Sequence, residues 1–190
     1  MDQALMKEAD ERSVSFNTLA NGILNKYCEW DRFQEKTHRV RVPQVMLDLL
    51  FRSASKETLA KATKEMGDRI GEMTLFFLGA SNVRGVVRFL EILGKYTGYL
   101  RLEERIIGDT MVLEFYHRFE MQFSQYWGAS IQLALQKAGA PRPEMDIANH
   151  VVSVKIPMTL YGPSRVEVTD IFAQSESVAT GRVSKQGDVF

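Results

Sequence analysis

The chain has 190 residues, room for one domain or for a small module followed by a domain of ordinary size. Hydrophobic residues make up 45% and charged residues 25%, which argues against wholesale disorder, and the 24 basic and 24 acidic residues cancel, so any basic surface must come from local arrangement. The lone Cys28 excludes an internal disulfide and a Cys-rich zinc site. No apolar run reaches the roughly 18 residues of a transmembrane helix. The first twelve residues are charged and lack the apolar run of a signal peptide, so a cytoplasmic protein with no membrane partner is expected.

In chain order, residues 2–12 predict a helix with Ala4, Leu5 and Ala9 on a weakly apolar stripe, broken by Ser13-Val14-Ser15. A second helix is predicted over 16–33, capped by Ser15, with Phe16, Leu19, Ala20, Ile23, Leu24 and Tyr27 on one buried face. Neither helix is long enough to stand alone, so each needs a partner from the same chain or from a second copy. Residues 34–38 read as a linker, and Arg39-Val40-Arg41-Val42 alternates as a short strand. Pro43 opens a helix ending near Ser53, and another spans 56–69. The apolar run 73–78 fits either a buried strand or a helix connection. A helix follows over 82–96, with Val83, Val86, Val87, Leu90 and Leu93 on one side. Strands over 99–107 and 110–117 are joined by Gly108-Asp109, a two-residue hairpin signal. The helix 119–138 carries Phe119, Phe123, Tyr126, Trp127, Ser130, Ile131 and Ala134 on one face and stops at Gly139. A last strand is predicted over 148–156. The remainder is polar, expected to be partly disordered, and 166–172 is a candidate for a further pairing segment.

The order after the linker is helices, then helix–strand–strand–helix–strand. It predicts an α+β protein with an N-terminal helical hairpin, then an antiparallel sheet with helices on one face. Three segments result: 1–36, 37–158 and the tail 159–190.

Residues 4–29 (ALMKEADERSVSFNTLANGILNKYCE) resemble the two helices of the ribbon-helix-helix family of DNA-binding proteins. The turn Ser13-Val14-Ser15 stands at the family's Gly-x-Ser position, and Phe16-Asn17-Thr18-Leu19 with Ile23-Leu24 matches its second helix. The family's first helix is preceded by a strand, and strands of two subunits pair into a ribbon that enters the major groove. This sequence starts on the first helix, so the base-reading residues are expected upstream of Met1. The resemblance implies a homodimer. It implies DNA phosphate binding by Ser15, Phe16, Asn17 and Thr18, where free amides and the helix dipole favour an anion. It also implies that Leu19, Ile23, Leu24 and Tyr27 pack across a two-fold axis. A structural reading of the same residues is a helical hairpin packed on the second domain.

In the second domain His117, Phe123 and Trp127 are a candidate ligand site, since pockets are mostly apolar with few polar groups. The structural alternatives are a histidine satisfied at the helix start and aromatics that are simply core. Glu103-Glu104 and Glu114 with Glu120 are candidate carboxylate pairs, although alternation places hairpin charges on the solvent face. Gly79-Ala80-Ser81-Asn82-Val83 precedes a helix but lacks the spacing of a phosphate-binding loop. No catalytic residue, metal site or cofactor is predicted. The expected function is a dimeric DNA-binding transcriptional regulator with a sensory or oligomerisation domain, open to a small-molecule effector. The alternative is a ligand- or haem-sensing protein with a helical dimerisation arm and no DNA role.

Overall fold

The computed structural model describes residues 2–37 and 42–161. The expected strand over Arg39–Val42 falls on residues 39–41, outside the described residues, and Val42 is irregular. The expected tail lies outside them too, except that residues 159–161 belong to a short helix.

The chain opens with α1 (Asp2–Glu11) and α2 (Phe16–Lys26). Ser15 stops one and starts the other: its backbone is extended and its hydroxyl accepts from the Thr18 amide at 3.1 Å. The second helix does not run straight to Phe33 as expected. It widens into a π-helical turn at Tyr27–Asp31 and ends in α3 (Arg32–Gln34). We call residues 16–34 the arm. Next come α4 (Gln44–Ser53) and α5 (Lys56–Leu78). The apolar run 73–78 is the last part of α5, which Gly79 closes at φ +68°. Asn82 caps α6 (Val83–Tyr96) by accepting from the Gly85 amide at 2.8 Å. The hairpin β1 (Leu100–Ile107) and β2 (Thr110–His117) then leads into α7 (Met121–Lys137).

The expected last strand over 148–156 is a second hairpin instead. Ala148 ends β3 (Glu144–Ala148), Asn149-His150 make the turn, and β4 (Val151–Pro157) returns to pair with β2. The turn needs a left-handed residue, and here it is His150 at φ +66° rather than glycine. The helix α8 (Met158–Tyr161) follows. The sheet is antiparallel, in the order β1-β2-β4-β3, one strand more than expected.

One sheet face is apolar and dry. Leu100, Met111, Leu113, Phe115, Val152, Val154 and Ile156 point into a core shared with α6 and α7. The opposite face carries Arg101, Glu103, Arg105, Glu114, Ser153 and Lys155, in keeping with the period of two. On the far side α5 packs across α6 and α7 as an outer layer. Its contact with α7 is close at Gly67, where a Cβ would lie 2.8 Å from Leu133 Cβ and 3.3 Å from the Ser130 carbonyl.

Gly67→Ala therefore sets two effects against each other. Alanine favours the helix by up to about 1 kcal/mol. Overpacking against an adjacent Cβ costs about 1–3 kcal/mol. A net loss of stability, read as a lower urea midpoint, is expected.

Candidate functional site

The arm docks through Trp30, which is 5% exposed. Its ring stacks on Tyr96 at 6.1 Å and meets Phe77 at 5.8 Å. One turn on, Phe33 stacks on Phe77 at 4.3 Å. Beside the ring, Glu29 accepts from Lys95 Nζ at 2.8 Å and from the Tyr96 hydroxyl at 2.5 Å. Those hydrogen bonds, Lys95 first and Tyr96 second, hold the Glu29 carboxyl below its ordinary range. The sequence reading took this stretch as the end of a helix and missed its role. The available signal was two large aromatics, Trp30 and Phe33, inside an otherwise charged run.

Docking borders a solvent-open cavity of about 630 Å³. The arm contributes Lys26, Trp30 and Gln34, and Val42 follows. Leu47 and Phe51 come from α4 and Met66 from α5. Tyr96, Thr97 and Tyr99 form the wall at the end of α6, and Phe123, Tyr126 and Trp127 line it from α7. Phe51 fixes this last wall, meeting Phe123 edge-on at 5.0 Å and Tyr126 at 5.1 Å. Among the described residues two buried donors of the lining find no acceptor: Trp127 Nε1–H and the Gln34 Nε2 amide. One stands on the body and the other on the arm. Burial, and then Tyr99, push the Tyr126 phenol well up, so it keeps its proton. Lys26 is the only charged side chain among the described lining residues. It is half-exposed and lies 3.6 Å from Asp31 across the π-helical turn.

Of the three expected ligand-site residues, Phe123 and Trp127 line this cavity and His117 does not. His117 sits behind Phe123, ring to ring at 4.6 Å. Its Nδ1 accepts from the Phe119 amide at 3.2 Å, so the proton of the neutral ring is on Nε2, 3.0 Å from Ser124 Oγ. His150 Nδ1 donates to the Phe119 carbonyl at 2.6 Å. The pair thus fastens the β2–α7 connection to the β3–β4 turn. Burial, and second the nearby His150, push His117 down to about 4.

The expected DNA-facing residues Phe16, Asn17 and Thr18 are exposed at the start of α2, and the Thr18 amide is taken by Ser15. Leu19 is buried, while Ile23, Leu24 and Tyr27 are 45%, 59% and 53% exposed. The candidate carboxylate pairs separate. Glu114 binds Arg105 and the Tyr116 hydroxyl, Glu103 pairs with Arg101, and Glu120 pairs with Arg52. Glu104 is raised by burial first and by Glu91 second. Asn82 caps α6 in the glycine-containing loop. Among the described residues no three His, Cys, Asp or Glu side chains gather as a metal site, and no helix is long and apolar enough to cross a membrane.

No protein-family model matches this sequence, and neither a curated protein nor a solved structure similar to it was found.

His117 sets a pH dependence. His117 is held neutral when folded but titrates at its ordinary 6.5 when unfolded. Below pH 6.5 the unfolded chain binds more protons, so stability is complete above that value and falls toward pH 4 by about 1.4 kcal/mol per pH unit. Urea titrations at stepped pH are expected to show that slope, and His117→Asn to lack it. Equal slopes would exclude His117 as its source.

Proposed function

We propose that the protein is a ligand-binding sensor whose cavity takes a small, mostly apolar molecule and whose arm carries the consequence of binding. The observation that supports this is the composition of the cavity wall. Its volume lies within the roughly 300–1,000 Å³ of small-molecule sites. Its walls are largely aromatic and come from both the arm and the body. Concave, mostly apolar sites with a few polar groups at the edge are where small molecules bind. A ligand touching both Gln34 and Trp127 bridges the arm and the body. Its binding then favours the docked arm by its affinity for that state over the undocked one. The π-helical turn between Lys26 and Arg32 is the kind of helix defect found at functional sites.

The two tryptophans of the chain, Trp30 and Trp127, both line the cavity, so selectively excited tryptophan fluorescence reports on it. The neutral apolar dye N-phenyl-1-naphthylamine is expected to quench that fluorescence saturably at one site per chain. Leu47→Phe, which adds bulk to the half-buried rim, is expected to weaken binding about tenfold, on the scale of a lost apolar contact, with unchanged circular dichroism. Unsaturable quenching would refute the reading.

The DNA-binding regulator is a second reading, favoured by the exposed apolar face of α2. Of the four residues that two-fold packing would use, Ile23, Leu24 and Tyr27 are largely uncovered in the single chain, while Leu19 is buried. In that reading the cavity is the effector site. It predicts a dimer in sedimentation equilibrium, dissociated by Leu24→Asp, and DNA affinity that falls steeply with salt. A monomer with salt-independent or no DNA binding would leave the sensor alone.

A further inference from the structure

We infer that the outer edge of β1 pairs with β1 of a second copy of this chain, joining two sheets across a two-fold axis. The inference is independent of the cavity, and it uses a different surface from the two-fold packing of α2. Among the described residues no strand lies beyond β1. The strand is eight residues long and in unbroken register with β2. It lacks the proline, the bulge and the short length that commonly blunt a sheet edge. The other edge strand, β3, is five residues long, follows Pro143 directly and packs against α7. The two-residue turn makes Ile107 and Thr110 a hydrogen-bonded pair, so the amides and carbonyls of Leu102, Glu104 and Ile106 point to the outer edge. The apolar row also runs past its cover here. Ile106 lies opposite Met111, and Met111 is 2% exposed while Ile106 is 61% exposed.

The strand's own sequence selects the register. In an antiparallel pair of identical strands, edge-facing groups oppose edge-facing groups, and each residue meets the one equally far from the axis. Centred on Glu104, Leu102 meets the second copy's Ile106 and Glu103 meets its Arg105, and each contact occurs twice. The first is apolar on the core side and the second is an opposite-charge pair on the outer side, the two kinds of cross-strand contact that stabilise a sheet. Centred on Glu103, Arg101 meets Arg105, and centred on Arg105, that arginine meets itself. Like charges directly opposite each other disfavour both registers. Centred on Leu102, the charges agree but Ile106 and Ile107 are left unpaired. The Glu104 register has one unfavourable contact, Glu104 against its own copy on the axis. A single edge pairing is a small interface of the transient class, so the dimer forms at high protein concentration.

Sedimentation equilibrium of the full chain carrying Leu24→Asp isolates this interface, because that exposed residue belongs to α2. The chain is expected to dimerise with a Kd on the order of 100 µM. Adding Glu103→Arg, which sets like charges opposite each other twice, is expected to weaken the dimer about tenfold. Adding Arg105→Glu to that variant reverses the pair and is expected to restore the dimer. Glu104→Gln, which removes the like-charge contact on the axis, is expected to tighten it about threefold. Hydrogen exchange on the same samples is expected to show the amides of Leu102, Glu104 and Ile106 slowing as concentration rises. A monomer up to about 1 mM, or a dimer indifferent to Glu103→Arg, would overturn the inference. So would edge amides protected equally at every concentration, the result expected if another part of the same chain covers β1. None of these outcomes bears on the cavity.

Discussion

Trp30 is the contact on which the rest of the site depends. The arm reaches the body over a short stretch, and among the described residues this indole is its one side chain buried in the body's core. Removing a buried ring of this size costs about 3–5 kcal/mol. The Glu29 ion pair beside it, partly open to water, contributes about 1 kcal/mol at most. Trp30 therefore supplies the energy of docking, while Glu29 sets the arm's register through Lys95 and Tyr96. Lys26, Trp30 and Gln34 stand four residues apart and reach the body from one side of the arm, with the π-helical turn between the first and the last of them.

The body is rigid where the arm is held lightly. The sheet, α6 and α7 form a continuous core, and α5 is pressed onto α7 at Gly67. His117 and His150 close the corner between β2, α7 and the β3–β4 turn, behind Phe123. The aromatic wall of the cavity is thus fixed from behind by the hydrogen bonds of His117 and His150 to Phe119 and Ser124. A ligand meets a preformed wall on one side and, on the other, a segment anchored by Trp30, Phe33 and Glu29. That asymmetry gives ligand binding a place to act.

Much of the architecture was legible because it follows from periodicity and punctuation. The helix α7, the Gly108-Asp109 hairpin and the Ser15 cap are local devices, and the structure has them where they were expected. The strand β3 was not legible. It is five residues long, follows two prolines, and turns through Asn149-His150 with no glycine to mark it, so it merged with β4 in the sequence. The run 73–78 was ambiguous by period and is helical because α5 packs lengthwise on its neighbours.

What the sequence determined by itself is the α+β class, most element boundaries and the apolar faces, because hydrogen bonding and burial along one element depend on residues a few places apart. It also placed Phe123 and Trp127 among candidate ligand residues, and grouped His117 with them on sequence nearness alone. Only the tertiary structure decided that His117 stands behind the wall, and that Trp30, Gln34 and Lys26 complete it from about a hundred residues away. A cavity is bounded by elements distant in sequence, and its unpartnered donors exist only once those elements have packed. No spacing within the arm or within α7 records that they face each other.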